Sequence, residues 1–299
     1  MMNYHAPAML KETLDGLNIK PNGVYVDLTF GGGGHSRGII ERLSRGALFA
    51  FDQDKDAAAN KLDDERFFLI AHNFRYLKHF MRYFEVLGID GILADLGLSS
   101  HHLDTPERGF SFRTDGPLDM RMDTEQEINA ANIVNTYNEK ALADIFRDFG
   151  DIKGANRLAK VIVAARADST IDAIGRLMSV TSKFAAPGKE FKFYAKLFQA
   201  LRIEVNNELE VLKEMLEQSV QLLKPQGRLA VITYHSLEDK LVKNFFRSGK
   251  LNGVQEKDFY GNIITPFKVI TKNGVTPSEE EIKENNRVRS ARLRVAEKR

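Results

Sequence analysis

The amino-acid sequence predicts an α/β fold: a doubly wound, mostly parallel sheet whose chain leaves midway for an all-helical insertion and then returns. Three observations predict it. The first hundred residues alternate short, near-continuous apolar runs with amphipathic segments, the pattern of strands buried on both faces and linked by helices. Residues 125–223 hold several helical stretches and no strand pattern, and strand patterning resumes at Arg228. The chain's 299 residues also reach the limit of what a single core usually organises.

Val24–Leu28, Ala47–Phe51, Phe67–Ala71 and Gly91–Leu96 read as the first four strands, rich in β-branched and bulky apolar residues. Between the first two, Gly34–Leu43 sets Ile39, Ile40 and Leu43 on one helical face and stops at Ser44-Arg45-Gly46. From Ser99 to Asp123 the chain shows neither period and carries Gly and Pro throughout. So long a segment in a compact protein is functional or disordered, and its aromatic and Met-Arg content argues for order. The last helical stretch places Leu201, Val205, Leu209, Leu212, Leu216 and Leu223 at three-to-four spacing and stops at Lys224-Pro225-Gln226-Gly227. Arg228–Tyr234, Phe267–Thr271 and Ala291–Ala296 then rejoin the sheet. The expected division is a sheet domain in two pieces, residues 1–104 and 206–299, around an inserted loop and helical domain, residues 105–205.

Composition narrows the function. With 43% hydrophobic and 28% charged residues the chain is globular, and with no cysteine it has no disulfide, thiolate metal site or cysteine nucleophile. The opening MMNYHAPAMLKETL lacks a basic-then-apolar layout and no run approaches a membrane span, so a cytoplasmic protein without membrane contact is expected. The net charge of +2 conceals a cancellation: residues 153–202 carry ten basic against three acidic residues and residues 283–299 seven against two, leaving −10 elsewhere. Two basic zones on an acidic body suit a protein that meets a polyanion at chosen places, although solvated helix faces would give the same count.

The most specific local signal is Val26-Asp27-Leu28-Thr29-Phe30-Gly31-Gly32-Gly33-Gly34-His35-Ser36, followed by Asp52 at the end of the next strand. Consecutive glycines after a strand let the backbone pass close under a ligand and turn into a helix. Asp52, 21 residues beyond Gly31, stands where an acid accepts ribose hydroxyls. Asp27 and the glycine spacing depart from the dinucleotide fingerprint and suit a ligand bearing positive groups, such as the amino-acid portion of S-adenosylmethionine. An NAD-type ligand and a purely structural turn are the weaker readings. A second signal, Asp95-Leu-Gly-Leu-Ser-Ser100, lies at the carboxyl end of the fourth strand, the crevice side of open α/β sheets.

Taken with His5 to Glu12, Arg108-Gly-Phe-Ser-Phe112, Gly116 to Met122, Phe198 to Ile203, His235-Ser-Leu-Glu-Asp239 and Glu284 to Ser290, these motifs resemble, over almost the whole chain, the bacterial 16S ribosomal RNA (cytosine-N4)-methyltransferase family, known as RsmH or MraW. The resemblance implies a class I S-adenosylmethionine-dependent methyltransferase sheet of Rossmann-like type, carrying an inserted helical domain. It implies methylation of the exocyclic N4 of one cytidine in the decoding region of 16S rRNA; the expected partner is that RNA within the small ribosomal subunit or a precursor, and the expected state a monomer or homodimer, neither of which the sequence fixes. Cofactor contacts are implied at Gly33, Gly34, His35, Asp52, Phe74, Asp95 and His102, the last standing where the family commonly has Gln; Tyr234 replaces a usual Phe.

Methylation at cytosine C5 needs a cysteine thiolate, which this chain lacks, whereas transfer to an amino nitrogen needs alignment and acceptors for the N4 hydrogens. Asp95 and Ser100 are the expected catalytic pair, with no metal and no strong general base. Phe110, Phe112 and Tyr234 are candidates to stack an extruded base. Lys189, Lys192, Tyr194, Lys196 and Arg202, in a segment that interleaves charge and rings, are expected to contact RNA; Arg108, Asp119 and Arg121 are expected to line the path to the cofactor, and His235 either to close the pocket or to serve as a buried structural residue.

Overall fold

A computed structural model describes residues 7–299, so His5 and Ala6 of the first motif lie outside the described residues. The chain divides into two compact units: residues up to Gly97 with Leu209–Arg299, and Leu98–Glu208. The second unit thus begins before residue 105 and ends after residue 205. The reason at its start is packing: Leu98 and Leu103 lie against the core of the helical unit.

In the first unit α1 (Leu10–Leu17), β1 (Val24–Asp27), α2 (Gly34–Arg42), β2 (Ala47–Phe51), β3 (Phe67–Ile70), α3 (Leu77–Tyr83) and β4 (Ile89–Asp95) follow one another. The second unit holds α4 (Ser100–Asp104), α5 (Ala130–Thr136), α6 (Glu139–Asp148), α7 (Ala155–Asp168), α8 (Ile174–Thr181) and α9 (Glu190–Asn206). The chain continues through α10 (Glu208–Leu222), β5 (Leu223–Thr233), α11 (Ser236–Ser248), the short β6 (Glu256–Lys257) and β7 (Ile263–Ile264), then β8 (Phe267–Val269), α12 (Glu279–Glu284) and β9 (Arg292–Lys298).

The sheet runs β3-β2-β1-β4-β5-β9-β8. The first five strands are parallel and β9 pairs antiparallel with both neighbours. This is the class I methyltransferase topology, with the order reversing between β1 and β4; ligands bind outside the carboxyl ends of the strands at such a switch point. Side chains alternate across the sheet. Val26, Phe49, Ile92 and Val231 meet α3, α10 and α11 on one face, while Tyr25, Leu48, Leu93 and Ile232 meet α1 and α2 on the other. Burial on both faces explains why the strands read as unbroken apolar runs.

Two boundaries differ from the sequence expectation. The helical run from Leu201 to Leu223 breaks at Asn207, whose φ of 51° is left-handed, so α9 and α10 are separate helices. Asn206 next to it holds the long loop, its amide accepting from Met122 N at 2.8 Å and donating to Met120 O at 2.8 Å. β5 begins at Leu223, earlier than expected, because Gln226 takes a φ of 65° and the pairing with β4 slips there. Among the described residues no helix is long and apolar enough to cross a membrane.

One cation of the basic tail is structural, whereas Lys283, Arg287, Arg289 and Arg299 are exposed. In β9, Arg294 is 3% exposed and forks onto Asp239 at 2.7 and 3.0 Å, and Arg228 reaches Glu297 at 3.2 Å.

Candidate active site

The carboxyl ends of β1, β2 and β4 each present an aspartate. Asp27 is 1% exposed and pins the turn after β1: it accepts from Thr29 N at 3.1 Å and from the Ser36 hydroxyl at 2.7 Å. The glycine run between those anchors turns left-handed, with φ of 50° at Gly31 and 73° at Gly33. A Cβ at Gly33 would sit 2.9 Å from the Phe30 ring, and one at Gly34 2.8 Å from Pro7, so the turn has no room for side chains. It delivers the chain into α2, whose N-terminus has no side-chain cap and therefore leaves amide donors for a ligand anion.

Asp52 closes the loop from the neighbouring strand. One oxygen accepts Gly31 N at 2.7 Å and the other Asp54 N at 2.8 Å. The Asn60 amide fastens Gly31 O at 3.0 Å, and Asn73 Nδ2 donates to Gln53 Oε1 at 2.6 Å, which ties the turn bearing Phe74 to the residue after Asp52. Phe74 itself is half-buried.

Asp95 ends β4 next to β1. Its backbone N–H donates to the Thr29 hydroxyl at 2.7 Å, and the nearby Tyr234 hydroxyl and Gly97 N–H pull its pKa down. Oδ1 is buried with no hydrogen-bond partner among the described residues. His35, 5% exposed, lies with Nε2 2.9 Å from Ala8 O and Nδ1 3.9 Å from Asp95 Oδ2. The carbonyl can only accept, so Nε2 carries the hydrogen of that bond.

Burial pushes all three carboxyls up. Asp52 rises to about 6, against opposing hydrogen bonds from Asp54 and Gly31. Asp27 and Asp95 also rise by burial, with the neighbouring His35 pulling each back. Burial and the Asp95 charge together carry the Tyr234 phenol well above its ordinary value, so it stays a donor. Three desolvated acids around one turn are costly without a cation. An orphaned acceptor at Asp95, an uncapped helix and a close-approach turn fit S-adenosylmethionine, which carries a sulfonium, an ammonium, a carboxylate and ribose hydroxyls.

Sequence reasoning missed the parts that hold these acids. The sequence offers Tyr234 as a base-stacking ring, yet that ring lies so close to Gly97 that a Cβ there would sit 2.6 Å away, and its hydroxyl neighbours Asp95. Thr29 and Asn60 gave no signal beyond their nearness to the glycines. His235 caps α11, its ring within 3.0 Å of Glu238 Oε1, while Glu238 Oε2 accepts Tyr234 N at 2.9 Å. These contacts hold the N-terminus of α11 beside Tyr234.

The other expected site residues lie in the helical unit, where several are reassigned. Ser100 opens α4, but the hydroxyl that caps it belongs to Ser99, which accepts from His102 N at 3.1 Å. His102 is 7% exposed with its ring 4.7 Å from that of Phe110, and Phe110 belongs to the helical core. Phe110 is therefore not a displayed stacking ring. Arg108 is buried and donates to Arg121 O and Met122 O, each at 3.0 Å; Arg121 forks onto Asp119 at 2.9 and 2.7 Å. These three stitch the long loop, which explains its order.

In α9, Tyr194 is buried and donates to Met178 O, Lys196 is held by Asp151 at 2.7 Å, and Arg202 forks onto Glu208 at 2.8 and 3.0 Å. Tyr194 and Arg202 are thus engaged within the fold, while Lys196 forms a surface ion pair with the exposed Asp151. Lys183, Lys189 and Lys192 remain exposed, with Phe191 at 59% exposure beside them.

The model of the MraW methylase family matches residues 2–299. The ribosomal RNA small subunit methyltransferase H of Parabacteroides distasonis is 54% identical over 297 residues, covering 99% of this chain and 97% of its own length. The proteins of the same name from Flavobacterium johnsoniae and Cytophaga hutchinsonii are each 54% identical, over 298 and 297 residues and 99% of this chain.

Proposed function

The chain belongs to the MraW methylase family, and from that premise we propose that it methylates small-subunit ribosomal RNA with S-adenosylmethionine, at the exocyclic N4 of a cytidine in the decoding region. The observation that carries this reading is the ring of Asp27, Asp52 and Asp95 at the ends of three adjacent strands, around a left-handed glycine turn and an uncapped helix. When bound, S-adenosylmethionine supplies a methyl group activated on a positively charged sulfur.

The chain's own residues supply placement. Ionised Asp52 would accept ribose hydroxyls with the lone pairs that Gly31 and Asp54 leave. The N-terminus of α2 would take the carboxylate end, and Asp27 keeps the turn rigid. Thr29 holds Asp95 through its backbone N–H, and the unpartnered Oδ1 is left to accept a hydrogen from the cytidine amine. That contact draws the nitrogen lone pair out of conjugation, and the surplus proton on nitrogen after transfer passes to the same carboxylate, whose pKa burial has raised. Alignment of an activated donor is worth roughly 7–11 kcal/mol in favourable cases, so no covalent intermediate is needed. The lack of any cysteine agrees with nitrogen rather than C5 as acceptor.

Phosphate contacts fall to the exposed Lys183, Lys189 and Lys192 of the helical unit, with Phe191 as a stacking ring. Mass spectrometry of small-subunit RNA from cells with and without the gene tests the proposal. The N4-methylated cytidine should vanish with the gene; its persistence would show that this chain does not make it.

A further inference from the structure

Between α11 and β8 the chain throws out a two-stranded hairpin that the methyltransferase site does not use. β6 and β7 pair antiparallel through Glu256–Ile264 and Lys257–Ile263. At the tip Phe259 is 97% and Tyr260 85% exposed, their rings in edge-to-face contact at 5.5 Å. The tip is not slack. Asp258 accepts from Tyr260 N at 2.9 Å and from Asn262 N at 2.8 Å, and its backbone N–H donates to Asn262 O at 2.9 Å, while Gly261 supplies the left-handed turn. Two large rings held rigidly in water bury nothing, so folding does not account for them.

The hairpin's foot is anchored on α11. Thr265 donates to Phe246 O, and Gly253 packs on Asn244, which places the hairpin beside the exposed Lys243 and Arg247. Residues 239–272 carry seven basic against three acidic residues, inside the part of the chain that is otherwise acidic. One of those acids, Asp239, is neutralised by Arg294. Exposed Lys257 and Lys272 add to the basic flank, while Lys268 lies 3.8 Å from Glu297, Lys250 pairs with Glu256, and Asp258 is the one acid at the tip.

We propose that this hairpin is a second RNA-contact surface, in which Phe259 and Tyr260 stack on unpaired bases and the surrounding lysines and arginine hold phosphates. Charge decides for a polyanion over an apolar protein groove: cations flank rings, and stacking on any base is available to a ring with free faces. The inference rests on ribosomal RNA being the substrate. It also explains how a target could be gripped by the sheet unit independently of α9.

The test uses the full chain and reads binding without turnover, so it is separable from the methylation result. Fluorescence anisotropy with a short labelled single-stranded RNA, and with deproteinised small-subunit RNA, compares the wild type with Phe259→Ala/Tyr260→Ala. The double variant should bind both RNAs roughly tenfold or more weakly, with unchanged S-adenosylmethionine affinity and melting temperature, and Phe259→Trp/Tyr260→Phe should restore binding. Lys243→Ala/Arg247→Ala should flatten the salt dependence. Unchanged RNA affinity in the double alanine variant would overturn the proposal. So would a loss seen only with assembled subunits and not with bare RNA, which would assign the tip to a ribosomal protein.

Discussion

The proposed ribose contact of Asp52 would tie the ionisation of a single half-buried carboxyl to cofactor affinity. Burial lifts it from an ordinary 3.8 to about 6 in the ligand-free protein, and ribose hydroxyls need the ionised form as acceptor. At pH 8 the group is ionised, whereas at pH 5 only about one molecule in eleven is, so the apparent Kd for S-adenosylmethionine should weaken about elevenfold, or about 1.4 kcal/mol. At its ordinary pKa the same change would be under about 1.1-fold. Isothermal titration in buffers of different ionisation enthalpy should show about half a proton released on binding at pH 6. Asp52→Asn is the control: it removes the titration, although one of the two backbone donors at Gly31 and Asp54 then meets an amide N–H. Asp27 and Asp95 add to any acid slope, so the difference between wild type and variant is the quantity to read. A folded pKa above the unfolded one stabilises the protein below about pH 4, and that contribution disappears as pH rises through about 6; for Asp52 it amounts to at most about 3 kcal/mol. Equal affinity at pH 5 and 8, or an unchanged slope in Asp52→Asn, would refute the reasoning.

Tyr234→Phe keeps the ring over Gly97 but removes a donor that lowers the Asp95 pKa, so the acid limb of the kcat profile should move to higher pH, at a stability cost of about 1–2 kcal/mol by thermal melting. Gly33→Ala forces a side chain into φ 73° against Phe30 and should cost about 1–3 kcal/mol of stability while weakening cofactor binding in titration calorimetry. Lys183→Ala/Lys189→Ala/Lys192→Ala should lower the slope of log affinity for single-stranded RNA against log salt by about 2, with cofactor affinity unchanged. Arg202→Ala, by contrast, strands the partly buried Glu208 and should lose about 3 kcal/mol in denaturant unfolding, with no comparable change in salt slope.

Much of the cofactor site was legible because it is local. The glycine run, Asp27 and Ser36 lie within ten residues of one another, and Asp52 follows at a spacing that one βαβ turn dictates. The strands were legible because burial on both faces leaves an unbroken apolar run. The residues proposed to face RNA read less well, since a lysine on a helix looks the same whether it meets phosphate or an aspartate. Lys196 finds Asp151 and Arg202 finds Glu208 only after folding, and Phe110 fills a core that no local pattern marks.

The sequence by itself determined the sheet, the interruption by helices, the turn that approaches the cofactor and, through its missing cysteine, the exclusion of a thiolate route. Tertiary structure alone decided that β9 slips antiparallel between β5 and β8, that Tyr234 reaches Asp95 from 139 positions away, and which cations remain in solvent. The physical reason is the range of the forces involved. Backbone preference and hydrophobic period act within a few residues, whereas an ion pair or a buried hydrogen bond depends on which distant partner the packed core brings within about 3 Å.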